Sequence, residues 1–254
     1  MTENEVHRNM DPWHLGWRAK IGLIMPSVEE GQAIYEYHTL FPEGVNTLET
    51  RVMCREISPE ELKKGRDEVL HAAEMLATAR ADVIVYCATA ATYVWGVAGD
   101  KAILDEIEKK TGIKATTGAS SVMAAFKFLG IKKMLVFSPY NEEVLKMGIK
   151  LFEDQGMRVA AYDSMGYTST RDIYRVPPWE AYQGVMKLYR KNPDVDGIFL
   201  SGGGLRTLPI IEILERDTGL PVVGTTPANA WRSLQLAGIK EPINGFGKLM
   251  ALPR

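Results

Sequence analysis

Few residue types in this chain could do chemistry. It has two cysteines, Cys54 and Cys87, and four histidines, His7, His14, His38 and His71. The histidines show neither metal-ligand spacing nor pairing with a nucleophilic serine motif, and no CxxC spacing suggests zinc. A hydrolytic triad and a metal site are therefore not expected. His38 and His71 fall in helical patterns and read as surface or satisfied core positions. The stretch "SGGGLRT" (201–207) follows a run of strand formers but lacks both GxGxxG and the GK[ST] ending of a phosphate loop, so nucleotide binding is not expected. Its glycines still expose backbone N–H groups ahead of a helix, a place where a carboxylate could sit.

Cys87 is the residue on which the reading turns. In "VIVYCATAAT" (83–92) strand formers give way to small, hydroxyl-bearing residues directly after the thiol. Strand ends are where an open α/β sheet presents side chains to ligand, and a helix starting there would favour a thiolate and offer N–H donors to an anion. The competing reading is a small buried hydrophobe, which is how Cys54 in "RVMCREI" is read.

The elements that must position this thiol alternate along the chain. Short apolar runs at 20–25, 81–87, 113–118, 132–138, 157–164, 196–202 and 220–226 read as strands, separated by helical patterns. One such pattern, "SPEELKKGRDEVLHAAEMLATA", carries a Ser58 start signal with Glu61 three residues on. Another helix is expected near Pro178, after the aromatic stretch 167–183, which reads as a connection or a substrate cover from which Arg171 or Arg175 could reach a carboxylate. Trp95 could supply pocket wall, with core packing the safer reading, and Trp231 is expected to pack between lobes.

Alternating strands and helices are the signature of parallel sheets, and the near-continuous apolar strands fit sheets covered on both faces. The order also repeats: "IGLIMPS" then "DVIVYCAT" is echoed by "MLVFSPY" then "DGIFLSGG". The fold class is thus α/β, with two pseudo-symmetric lobes, each a mainly parallel sheet flanked by helices. Residues 19–118 plus 228–254 are expected to form the first lobe and 119–227 the second, with the active site in the cleft between them.

Composition narrows the partners. The 254 residues carry a net charge of -2 with no long run of one sign, which gives no footprint for nucleic acid. The polar N-terminal stretch lacks the apolar core of a signal peptide, and no later run reaches the length of a membrane span. A cytoplasmic protein acting on a small molecule is expected, with its oligomeric state open between monomer and homo-oligomer.

"YCATA" resembles the Cys-Asn-Thr-Ala motif of the aspartate/glutamate racemase superfamily. Further stretches resemble its arylmalonate decarboxylase and maleate isomerase branch: "IGLIMPS", "TTGASSVMAAFKFLGIKK", "VFSPYNEEV", "DGIFLSGGGL" and "PVVGTTPANAWRSLQLAGI". Together they run from Ile21 to Ile239. The resemblance implies two pseudo-symmetric lobes, no cofactor, and one or two cysteines flanking a carbon next to a carboxylate. It makes Cys87 the catalytic first-lobe cysteine and places the second-lobe cysteine position at Gly202, where this chain has no thiol. Amino-acid racemisation by two bases is disfavoured by that glycine, by Ala88 in place of the motif asparagine, and by the missing aspartate near the first strand. Decarboxylation of a substituted malonic acid needs a single proton donor and so fits best. A maleate-type isomerase or racemase using Cys87 as nucleophile or base, and a non-catalytic carboxylate binder, are the alternatives. The resemblance further implies substrate contacts from Thr89, Tyr140, Ser201, Gly202, Gly203, Ser27 and Pro26. Protonation from the first-lobe side implies a product of opposite hand to that of decarboxylases whose cysteine is in the second lobe.

Overall fold

The computed structural model describes residues 15–26 and 31–254, with the backbone alone at Gln32. Eight strands form two parallel four-stranded sheets. The first holds β1 (Ala19–Pro26), β2 (Val45–Val52), β3 (Val83–Tyr86) and β4 (Lys114–Thr117), in the order β2-β1-β3-β4. The second holds β5 (Lys133–Tyr140), β6 (Arg158–Tyr167), β7 (Gly197–Leu200) and β8 (Val222–Gly224), in the order β6-β5-β7-β8. Adding four to each strand number of the first order gives the second, so the repeat read from the sequence is a repeat of topology.

The central strands are apolar because helices cover them on both faces: every residue of β3 and of β7 is buried. One strand, β2, lies outside the seven apolar runs. Its sequence, "VNTLETRV", pairs with β1 on one side only and remains partly exposed along most of its length, so selection for burial never made it read as a strand. The helical pattern from Ser58 also resolves into two pieces, α2 (Pro59–Lys63) and α3 (Arg66–Thr78). Ser58 caps the first by accepting from the Glu61 N–H at 3.3 Å, and Gly65, at φ +85°, turns the chain between them.

The remaining helices are α1 (Gln32–Leu40), α4 (Thr89–Thr111), α5 (Gly118–Leu129), α6 (Glu142–Glu153), α7 (Thr170–Tyr174), α8 (Pro178–Lys191), α9 (Leu208–Thr218), α10 (Thr225–Leu236) and α11 (Lys248–Ala251). Two helix pairs bridge the sheets. α4 packs on α6, and α10, which follows the last strand of the second sheet, packs on α5 and on β3 and β4 of the first. Phe126 of α5 meets Phe199 of β7 edge-on at 5.4 Å, and Trp231 of α10 sits 5.0 Å from Phe128 of α5. The larger hydrophobic core is therefore continuous between the two sheets. Among the described residues, no helix is long and apolar enough to cross a membrane.

Candidate active site

In a sheet of order 2-1-3-4 the direction of strand succession reverses between β1 and β3, and helices leave toward opposite faces there. A crevice opens outside the carboxyl ends of those strands, where ligands bind. The repeat places two such crevices face to face. Pro26 closes β1, Cys87 directly follows β3, Tyr140 closes β5, and Ser201–Gly203 directly follow β7.

A cavity of about 50 Å³ lies where these ends meet. Its walls bring together the Cys87 and Cys54 thiols, the Tyr37, Tyr140 and Tyr174 phenols, the Thr89, Thr170 and Thr226 hydroxyls and the Asn229 amide. Met25, Pro26, Ile57, Leu62 and Ile173 supply apolar wall, and Gly203 and Gly204 the second-lobe rim. None of its described lining residues is Asp, Glu, His, Lys or Arg. Among the described residues no cluster of His, Cys, Asp and Glu could hold a metal ion.

Cys87 is held from several sides. Its backbone N–H donates to the Ile24 carbonyl at 2.9 Å, extending the β1–β3 ladder by one residue. Its Sγ lies 3.6 Å from the Val85 carbonyl and 3.4 Å from the Tyr37 phenol oxygen. Tyr37 in turn accepts a hydrogen bond from Asn229 Nδ2 at 3.1 Å. Burial holds the Tyr37 phenol well above its ordinary pKa, and the neighbouring Cys87 adds to this. Helix α4 begins at Thr89, two residues after the thiol, and breaks at Gly96, where φ is +67°. In its first turn the Thr89, Ala91 and Thr92 N–H groups donate to the Cys87 and Ala88 carbonyls, which leaves the Ala90 N–H, beside the Tyr140 phenol, at the cavity end of the sheet.

Tyr140 is likewise held protonated above its usual range by burial, opposed by the Ala90 N–H and the Thr89 hydroxyl beside it. The buried Thr89 oxygen makes no hydrogen bond of normal geometry among the described residues, which leaves its hydroxyl as a donor to offer a ligand. It is also wedged against Gly118: a Cβ there would lie 2.4 Å from it.

Of the residues read as site candidates, Pro26, Cys87, Thr89, Tyr140 and Gly203 line the cavity. Ser201 and Gly202 stand behind it. The Ser201 hydroxyl pairs with the Tyr93 phenol at 2.9 Å, and the Gly202 N–H donates to Thr225 Oγ1 at 3.0 Å. Ser27 lies outside the described residues. Gly202 adopts φ +98°, and a Cβ there would lie 3.0 Å from Pro139 Cγ and 3.3 Å from Tyr140 Cζ. Backbone and space together exclude an unstrained side chain at position 202, where the resemblance expects the second-lobe cysteine. Stretch 167–183 contributes through α7, whose Thr170, Ile173 and Tyr174 face the cavity, while Arg171 and Arg175 are exposed and do not line it. Trp95 stacks on Tyr86 at 5.4 Å and donates to the Leu62 carbonyl, behind the wall rather than in it.

Three cavity residues carried no sequence signal that was read: Cys54, Tyr37 and Asn229. Cys54 follows β2 as Cys87 follows β3, so recognising that edge strand would have exposed it. Its loop is tied to the second lobe by the Ile57 N–H, which donates to the Thr168 carbonyl at 2.8 Å, and by Asn141 Nδ2, which donates to the Ile57 carbonyl at 2.9 Å. Burial, with the Glu61 and Glu56 carboxylates, pushes the Cys54 thiol up to about 11.

The architecture is shared with solved enzymes. A crystal structure of arylmalonate decarboxylase in liganded form, carrying one glycine-to-cysteine and one cysteine-to-serine replacement, superposes with a TM-score of 0.86 at 26% identity, covering 91% of this chain and 98% of that one. Among curated proteins, the arylmalonate decarboxylase of Bordetella bronchiseptica is 26% identical over 230 residues, 90% of this chain and 95% of that protein. The maleate isomerase of Geobacillus stearothermophilus is 24% identical over 245 residues, 91% and 97% of the two. Fold and thiol-bearing cleft thus define an enzyme of the aspartate/glutamate racemase superfamily, in the branch of decarboxylases and cis-trans isomerases. Within it, the arylmalonate decarboxylase profile matches residues 21–250, and the chain belongs to that family.

Proposed function

We propose that the protein is a cofactor-independent decarboxylase of malonate-type acids, with Cys87 as the proton donor. The observation that carries this reading is a cavity with a thiol in its wall, neutral hydrogen-bond donors around it, and no charged side chain among its described lining residues. Thr89, Tyr140 and the Ala90 N–H hold one carboxylate. The other lies against apolar wall such as Met25, Ile57 and Leu62, where it is poorly solvated. The bond to that second carboxylate breaks, carbon dioxide leaves, and the electron pair passes into an enediolate. The same donors stabilise it because its charge grows on oxygens they already contact. The Cys87 S–H proton then moves to carbon, and the thiolate recovers a proton from water. Pro26 and Gly203 form opposite rims, with Ser201, Gly202 and Ser27 as supporting residues.

The partly open cavity has room for about three to five waters at one per 10–15 Å³, which favours small substituents on the malonate over aryl groups. We read residues 19–118 with 228–254 as the first lobe and 119–227 as the second, and the protein as cytoplasmic.

A maleate-type isomerisation is the second reading, and Cys54 is the observation that favours it. Two thiols in one cavity could serve as nucleophile and acid, although the raised Cys54 pKa suits only the acid.

Turnover of malonate, methylmalonate, a prochiral disubstituted malonate, phenylmalonate and maleate by the wild type, Cys87→Ser and Cys54→Ser separates these readings. Expected are carbon dioxide release abolished in Cys87→Ser and retained in Cys54→Ser, and a chiral product of opposite hand to that of a second-lobe-cysteine decarboxylase. Full decarboxylation by Cys87→Ser refutes the reading. Fumarate from maleate, lost in both variants, establishes the isomerase instead.

A further inference from the structure

Tyr37 and Asn229 form a buried chain that ends on the reactive sulfur. Asn229 Nδ2 lies 3.1 Å from the Tyr37 oxygen, which lies 3.4 Å from Cys87 Sγ. Tyr37 and Asn229 are each 1% exposed, and Cys87 is 7% exposed. A phenol has one hydrogen to give. When Asn229 donates into the phenol oxygen, that hydrogen is left to point at sulfur, and the S–H is turned elsewhere, toward the Val85 carbonyl at rest or toward a substrate carbon. The opposite polarity would spend the S–H on Tyr37 and withhold it from the cavity. Charge decides between the two. Once the thiol has given up its proton, the sulfur can only accept, and Tyr37 is the neighbour placed to donate to it.

We propose that Tyr37 is a positioning residue for Cys87: its hydroxyl, oriented by the Asn229 amide, donates to Sγ, aims the S–H proton into the cavity and stabilises the thiolate left after transfer. This rests on Cys87 being the acid of the reaction. It gives the site an anion-stabilising contact without a cation, in keeping with the uncharged lining. The other titratable groups around the thiol are Tyr86, which precedes it on β3, Glu36, which precedes Tyr37 on α1, and the Cys54 thiol and the Tyr140 and Tyr174 phenols of the cavity wall. The polarity is maintained through the cycle because Tyr37 is held protonated, as a donor and not a base.

Peptide-resolved alkylation of Cys87 by iodoacetamide as a function of pH tests this without any substrate. In full-length Tyr37→Phe the alkylation midpoint moves up by about one to two units, as expected for loss of one hydrogen bond to a charged group. Its kcat on the malonate turned over by the wild type falls by about 10–100-fold with KM nearly unchanged. Asn229→Ala moves the midpoint in the same direction by less, and the double variant behaves as Tyr37→Phe alone because both act through one contact. An unchanged midpoint in folded Tyr37→Phe, or in Asn229→Ala should the first variant not fold, overturns the proposal. So do additive shifts in the double variant. The two readings fail separately: Cys87→Ser that still decarboxylates removes the assigned reaction while an alkylation shift stands, and an absent shift with an inactive Cys87→Ser removes the relay alone.

Discussion

Glu36 makes the stability of this protein fall as pH rises through neutrality, and replacing it by glutamine removes its share of that dependence. The side chain is 4% exposed on α1 and reaches the start of α9, where Oε1 accepts from the Thr207 N–H at 3.0 Å and the Leu208 N–H at 3.2 Å. Oε2 has no partner. Burial therefore outweighs the two donors and the nearby Arg206 charge, and the carboxyl is pushed from 4.5 up to about 7. The folded state keeps a proton that the unfolded chain has already lost. Its contribution to stability is full below about pH 4.5 and is lost as pH rises through 7. A shift of about 2.5 units at 1.36 kcal/mol each is about 3 kcal/mol in all. Roughly 1.4 kcal/mol of it disappears between pH 6 and 8 by the same linkage relation. Asp100, raised to about 6, and Glu215, also raised, add slopes of the same sign, so the difference between the two proteins isolates Glu36. Urea unfolding of wild type and Glu36→Gln at half-unit steps from pH 5 to 8 should show that difference shifting by about 2.5 kcal/mol in favour of the variant at high pH. A difference constant across the range would show that Glu36 is ionised throughout, and the burial argument would be wrong.

Two glycines carry further predictions. Gly118→Ala puts a methyl group 2.4 Å from the Thr89 hydroxyl and 3.1 Å from its Cα, yet gains about 1 kcal/mol of helix propensity. Activity should fall by about 100-fold, as for one lost oxyanion donor, with little change in Tm; full activity would show that Thr89 does not hold the substrate. Gly202→Cys restores a thiol at the second-lobe position but should lower stability by about 1–2 kcal/mol in urea melts because of its positive φ. A variant as stable as the wild type would refute that strain.

Most of the fold was legible because buried parallel strands advertise themselves: β1, β3, β5 and β7 are continuous apolar runs ended by small residues or proline. The repeat followed from the spacing of those ends. β2 escaped because an edge strand with one neighbour can carry Asn46, Thr47, Glu49 and Arg51, and Cys54 escaped with it. Thr89 and Tyr140 came from the family resemblance, while Cys87 was legible because it directly follows a strand, where the chain itself places it beside the cleft. Tyr37 and Asn229 were not, since each lies on a helix in a pattern that burial alone explains. Their meeting across 192 positions is a property of the assembled lobes.

The return of α10 to the first sheet has a consequence for how this molecule comes into being on the ribosome. Strands β1 to β4 are synthesised before the helix that covers β3 and β4 and supplies Asn229, with the whole second sheet made in between. A nascent chain halted before residue 225 leaves that face of its first sheet bare. The pocket is therefore completed only once both sheets and α10 have been made, and a chain cut short of α10 would expose apolar strand surface to aggregation before any chemistry could begin.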